Sequence, residues 1–195
     1  MSSRDSILSK IKNNQPTSVN ELPSLSFLGL DKIDVIETYK TVLKGIGGFC
    51  EEVSSLDEVK AYIAAHYPSD KRKITTIQEL ADIAETEWTN DDPHSLQNVE
   101  LAIVKAHFGV AENSALWVTD AILGQRVSPF IPQYLSIIVN KKDILPFMQQ
   151  AYERIGDLDY GFGTFIAGPS KTADIEQSLV LGAHGARGLT VFLMN

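Results

Sequence analysis

The sequence holds a single cysteine, Cys50. A lone cysteine makes no internal disulfide and by itself holds neither a zinc ion nor an iron–sulfur cluster. Its setting, Gly-Gly-Phe-Cys-Glu-Glu-Val, surrounds it with acids. Nearby acids raise a thiol pKa, so Cys50 reads as an inert, packed group. Long apolar runs are also missing: none approaches the roughly 20 residues of a membrane span. The opening Met-Ser-Ser-Arg-Asp-Ser-Ile-Leu lacks the apolar core of a signal peptide. Positive charge is scarce, with 17 Lys and Arg against 25 Asp and Glu and a net charge of −8. That balance argues against a nucleic-acid partner, which requires a basic face to displace counterions. His66, His94 and His107 show no metal-ligand spacing and read as surface or satisfied side chains, so no metal site is expected. The default is a cytoplasmic protein with no membrane span and no cofactor of its own. A small anionic ligand stays open, because it needs only a local cluster of donors.

What is present is a chain of 195 residues, 44% hydrophobic and 22% charged, which suits one domain with a small extension. Residues 1–30 form the extension. Residues 3–13 read as a short amphipathic helix with Ile7, Leu8 and Ile11 on one face. The stretch from Asn13 to Leu30, rich in Pro, Ser and Asn, reads as an extended arm. Such arms wrap neighbouring surfaces, so a homodimer is conceivable.

From residue 31 to 195 helical and strand patterns alternate. Apolar spacing predicts a helix through Ile36, Val42, Leu43 and Ile46 that ends at Gly47-Gly48, then a strand at Gly48–Val53. Ser54 or Ser55 caps a second helix that stops before Pro68. Further strands are expected at Lys71–Ile77, Val99–Ala106, Ala115–Leu123, Tyr134–Asn140, Tyr160–Gly168 and Gly188–Met194. A short helix is expected near Ile77–Glu85, a polar loop at Thr86–Ser95, an extended loop at Val127–Gln133, and a helix capped by Asp143 with Pro146 early in it. Apolar, β-branched strands joined by helices argue for an α/β layered domain with a largely parallel sheet and flanking helices. Ligands in such folds bind beyond the carboxyl ends of strands, and the loop after Thr164–Gly168 is expected at such an end.

That loop, Gly-Pro-Ser-Lys-Thr-Ala-Asp-Ile-Glu-Gln-Ser-Leu-Val-Leu-Gly-Ala-His-Gly-Ala-Arg-Gly over 168–188, gathers most of the candidate chemistry. It is no Walker loop: Gly163 and Gly168 have the right separation, but Pro169 stands where the lysine belongs. Nor is it a dinucleotide fingerprint, since Ile166 replaces the third glycine after Gly161 and Gly163. A looser anion site remains. Ser170, Lys171 and Thr172 follow a strand and precede a helical pattern, where backbone N–H groups, hydroxyls and an ammonium favour an anion. The plainer reading makes Ser170 or Thr172 an N-cap, with Asp174 or Glu176 complementing the first turn. Downstream, Arg187 offers a fork for a carboxylate or phosphate and His184 a proton shuttle; the plainer reading is a glycine turn with both solvated. Glu112-Asn113 is a third candidate, as nucleophile or general base, against a simple polar turn.

The stretch from Gly168 to Met194 closely resembles the carboxyl-terminal signature of the LUD-domain family: Gly-Pro-Ser-Arg/Lys-Thr-Ala-Asp-Ile-Glu, a Gly-x-His-Gly turn and a last apolar strand. Looser agreement runs through the Ser3–Ile11 start, Ser55–Ile63, Gly109–Val118 and Phe130–Val139. The resemblance implies a fold like that of the NagB/RpiA/CoA-transferase group. It also implies a part in oxidising L-lactate to pyruvate alongside iron–sulfur partner proteins, which would carry the clusters that a one-cysteine chain cannot. The candidate pocket comprises Glu112, Ser170, Lys171, Thr172, Asp174, Glu176, His184 and Arg187. Lys171 and Arg187 would hold a carboxylate or phosphate, with His184 and Glu112 as proton-transfer candidates. One departure is informative. The family's Gly-Ile-Ala-Glu-Thr-Gly-Thr reads Gly109-Val110-Ala111-Glu112-Asn113-Ser114-Ala115 here. The glutamate remains, while both threonines and a glycine are replaced. Two alternatives stand beside the lactate reading: a CoA-transferase-like or nucleotide-dependent enzyme using Glu112, and a non-catalytic interaction module.

Overall fold

The computed structural model describes residues 2–15, 34–89, 92–171, 181–182 and 184–195. The chain divides into two compact units, Met1–Leu30 and Asp31–Asn195. In the first, helix α1 (Ser3–Asn13) begins with a capping box: Asp5 N donates to Ser2 Oγ, and Ser2 N donates back to the Asp5 carboxylate. Its apolar face, Ile7, Leu8 and Ile11, is about half exposed at 58%, 48% and 54%. The expected arm, Asn13–Leu30, lies outside the described residues from position 16 onward.

The second unit carries two sheets. The larger is wholly parallel, in the order β1 (Phe49–Val53), β9 (Gly188–Met194), β6 (Tyr134–Asn140), β3 (Leu101–Lys105), β2 (Lys73–Thr75). Its central strands are buried on both faces, which is why Leu-Ala-Ile-Val and Leu-Ser-Ile-Ile-Val read as nearly unbroken apolar runs. One face packs on α3 (Leu56–His66) through Val59, Ile63, Ile103 and Phe192. That helix is capped by Ser55, as expected. The other face, through Val104, Ile137 and Val191, meets α2 (Val35–Gly45) and the second sheet. Tyr39 and Leu43 are the α2 residues wholly withdrawn from solvent.

The second sheet has four short strands in the order β7 (Ile144–Leu145), β4 (Phe108–Val110), β5 (Leu116–Thr119), β8 (Gly163–Ile166). Here β5 runs antiparallel to both β4 and β8. Its outer face packs Phe108, Val110 and Trp117 against Ala151 and Ile155 of α5 (Met148–Ile155). The layered, largely parallel α/β architecture with flanking helices is thus present, with a second mixed sheet added to it.

Three local expectations are corrected. The helix expected to be capped by Asp143 starts four residues later, at Met148. A 3-10 turn at Lys141–Asp143 leads into β7, which pairs Ile144 and Leu145 with Gly109 and Val110. Pro146 biases Leu145 toward extended backbone, and β4 supplies the partner that fixes it there. Asp143 instead accepts from Asn140 Nδ2 and Arg154 Nη2. The Ala115–Leu123 strand ends at Thr119 and turns into the short helix α4 (Asp120–Leu123). The Thr86–Ser95 loop hides Trp88, which is fully buried and donates Nε1–H to the Thr75 carbonyl at 2.9 Å. The segment before it is stitched along β2, with Thr75 N donating to Glu85 O and Glu85 N to Lys73 O. Cys50 is half-buried, and burial pushes its thiol up to about 12, with Lys40 pulling the other way.

Candidate functional site

The glycine-rich loop lies somewhere other than the sequence suggests. It leaves the carboxyl end of β8, but β8 belongs to the second sheet. The loop then enters β9 and so reaches the amino edge of the parallel sheet, not its carboxyl edge. Arg187 N donates to Gln133 O, just before β6, and so fastens the loop's exit to that edge.

The loop's described part is folded on itself by backbone hydrogen bonds. Ser170 N donates to Ala186 O at 2.8 Å, and Gly182 N donates to Ser170 O at 3.1 Å. Two glycines make this closure feasible. Gly168 sits at φ +72°, and a Cβ there would come within 2.8 Å of Ile46 Cδ1. A Cβ on Gly185 would come within 3.2 Å of Ser170 Cβ. Pro169, which breaks the Walker register, is buried.

The closed loop borders a cleft of about 390 Å³. Its floor includes Leu135, Phe165 and Leu189, and its rim carries Ser170, Lys171 and His184 beside the exposed Phe130. Lys171 and His184 are exposed, and neither has an ion pair among the described residues. The arrangement sets an ammonium, a hydroxyl and an imidazole over an apolar floor. Groups of these kinds donate hydrogen bonds to anionic oxygens, and the apolar residues beside them offer contact to carbon.

Other predicted residues are placed apart from this rim. Arg187 does not line the cleft; its guanidinium stacks over the Tyr134 ring, 4.8 Å from the centroid. Glu112 does not line it either. It lies on the turn after β4, and its Oε2 accepts from Met148 N at 2.9 Å, so it acts as the acid at the start of α5. Thr172, Asp174 and Glu176 lie outside the described residues. Among the described residues, no group of three or more His, Cys, Asp or Glu side chains is arranged to hold a metal ion.

The altered Glu112–Ala115 run has a physical consequence. Ser114 stands where the family pattern has glycine, and it adopts φ +54°, a conformation that costs an L-residue. Its hydroxyl is buried and donates to Asn113 O at 2.7 Å, so it offers nothing to a ligand. Asn113 Oδ1 accepts from Ala115 N and closes the turn between β4 and β5, while Tyr39 donates its hydroxyl to Ser114 O.

Sequence reasoning set His107 aside, yet it lines a second cavity with Trp117 and Arg154. The available signal was its position, three residues after the buried run Leu101–Val104 and so beyond the carboxyl end of a core strand.

A two-sheet, layered α/β domain with an open, donor-rimmed cleft is the class of molecule these features define. The chain belongs to the LUD-domain family, whose sequence model matches residues 18–194. It is similar to Lactate utilization protein C of Shouchella clausii (strain KSM-K16), 34% identical over 108 residues that cover 50% of this chain and 47% of that protein. Lactate utilization protein C of Exiguobacterium sp. (strain ATCC BAA-1283 / AT1b) is 26% identical over 178 residues, covering 80% of this chain and 76% of the relative. The matches to the Shouchella and Bacillus pumilus proteins thus span about half the length of those relatives, 47% in each case. A crystal structure of a DUF162 family protein from Deinococcus radiodurans shares the fold, with a TM-score of 0.62 at 15% identity over 83% of this chain and 97% of that one. No described helix is long and apolar enough to cross a membrane.

Proposed function

We propose that this LUD-domain chain is a ligand-binding accessory subunit in the oxidation of L-lactate to pyruvate, acting in the cytoplasm with iron–sulfur partner proteins. Family membership and the name shared by its relatives, Lactate utilization protein C, support the pathway. The single cysteine supports a division of labour in which any clusters are held by partners. The observation that carries the ligand-binding part is the cleft of about 390 Å³ rimmed by Ser170, Lys171 and His184. In this reading Lys171 and Ser170 hold the carboxylate, and His184 exchanges a proton with the neighbouring hydroxyl or carbonyl oxygen.

Thermal-shift measurements with L-lactate, pyruvate, nucleotides and coenzyme A test the reading. A ligand at a hundred times its Kd adds about 2.7 kcal/mol of stability, enough to raise the melting temperature by several degrees. A rise with one of the small acids that disappears in Lys171→Ala is the expected result. No response to any compound, or an unchanged response in Lys171→Ala, would overturn the site.

A further inference from the structure

We propose that the cavity between the β4–β5 ribbon and α5 is a second ligand site, built for a flat aromatic or heteroaromatic carboxylate. Its volume is about 380 Å³, within the range of small-molecule pockets. Three rings shape it: Phe108 from β4, Trp117 from β5, and Tyr160, which meets Trp117 edge-on at 5.2 Å. The Trp117 and Phe108 ring planes are 24° from parallel, with centroids 6.5 Å apart. Ile155 adds an aliphatic contact from α5. Walls of this kind favour a planar apolar body, because rings stack or meet edge-to-face at little entropic cost.

The polar groups fix what such a body must carry. Arg154 reaches over Phe108, its guanidinium 5.1 Å from the ring centroid, and donates one N–H to Asp143 Oδ1 at 2.9 Å. Its other guanidinium donors have no hydrogen-bond partner among the described residues. His107 shares a 2.8 Å hydrogen bond between Nε2 and Thr119 Oγ1, while its second ring nitrogen has no partner among the described residues. Burial and the neighbouring Arg154 charge lower its pKa, so the imidazole is neutral at pH 7 and serves as a hydrogen-bonding group. Asp159 adds an exposed carboxylate to the lining. One guanidinium that already shares its charge with Asp143 suits a monoanion and not a polyphosphate. The rings call for more than a three-carbon acid supplies, which separates this site from the loop cleft.

Its place in the fold agrees. His107 lies two residues beyond Lys105, the last residue of β3, where the chain passes from the parallel sheet into the second sheet. The cavity therefore opens beyond the carboxyl end of a core parallel strand, the end at which α/β sheets hold ligands.

Tryptophan emission gives a direct test on the full chain. The sequence has two tryptophans; Trp88 is sealed in the core, so a change on titration reports Trp117. Benzoate, nicotinate and indole-3-carboxylate are titrated beside benzamide, the uncharged counterpart. The expected result is a saturable emission change with at least one ring carboxylate and binding about tenfold or more weaker for the amide, the loss of one charge-assisted contact. Arg154→Gln should abolish the acid-over-amide preference, and Arg154→Lys should restore part of it; circular dichroism confirms that both are folded. The proposal is overturned if no ring carboxylate gives a saturable change, if the amide binds as well as the acid, or if folded Arg154→Gln keeps the preference.

Discussion

Replacing Trp88 by phenylalanine is predicted to destabilise the second unit by about 3 kcal/mol, although the residue sits in a stretch that reads as polar loop. The magnitude has three sources. Replacing the indole by a phenyl ring withdraws two buried carbons along with Nε1, the carbons worth about 0.8 kcal/mol each. Those atoms leave a void of roughly 40 Å³, which costs about 1 kcal/mol where the walls cannot collapse. The Thr75 carbonyl loses the Nε1–H donor that now sits at 2.9 Å, and an abandoned buried acceptor costs about 1–3 kcal/mol. Partial relaxation around the site offsets some of this, which is why the expected value lies below even the smallest total, about 3.6 kcal/mol. The relaxation is limited on one side by Gly124, where even an added Cβ would approach Trp88 Cη2 to 3.3 Å. The assay is urea unfolding followed by far-ultraviolet circular dichroism, because the substitution removes one of two emitting residues. A drop in midpoint at unchanged m-value, with a melting temperature lower by about 6–12 °C, is the predicted outcome. A loss below about 0.5 kcal/mol, the level of an ordinary surface substitution, would refute the assignment of Trp88 to the core.

Two further predictions concern charges. Glu112→Gln should lower stability by about 0.3–1 kcal/mol through the weakened start of α5, seen as a small drop in melting temperature, and should leave the response to small acids at the loop cleft unchanged; loss of that response would return Glu112 to the site. Lys141 and Lys40, at 2.6 and 2.7 Å, hold the Glu52 carboxyl at about 2, below its usual 4.5. A depressed folded-state pKa contributes stability that is complete above the unfolded value and fades as pH falls toward 2. The carboxylate is 41% exposed, so solvent screening keeps the contribution below about 1 kcal/mol. Glu52→Gln should therefore flatten the pH dependence of the unfolding midpoint between about pH 5 and 2, and an unaltered slope would show that the pairing does not contribute.

The parts of the fold that were legible in the sequence are those whose pattern is set by burial alone. β3, β6 and β9 lie inside a parallel sheet, so nearly every side chain must be apolar, and their sequences say so directly. Helices α2 and α3 carry local punctuation, Gly47-Gly48 after one and Ser55 before the other. What was illegible depends on partners distant in the chain. Ile144-Leu145 is a strand because Gly109 and Val110 lie beside it, and a two-residue pairing leaves no periodicity to read. Trp88 is core because the Glu85 backbone is laced to β2, a contact that the surrounding polar residues conceal.

The candidate site shows the same division at a larger scale. The loop's glycines and donors were visible, because φ +72° at Gly168 and the close approach at Gly185 demand those residues wherever the loop lies. Its address was not visible, because that depends on which sheet β8 joins. Had β8 belonged to the parallel sheet, the loop would stand at the carboxyl edge, beside the ends of β3 and β6. Instead β8 runs antiparallel to β5, and the chain returns from it to the amino edge. The carboxyl end of β3 is thereby left to His107 and the β4–β5 ribbon, with α5 closing the other side. Adding the mixed sheet thus separates two cavities that a single parallel sheet would crowd onto one edge. In the proposed reading, the open rim of the glycine-rich loop takes the small acid and the aromatic cavity at the strand end takes the larger planar one.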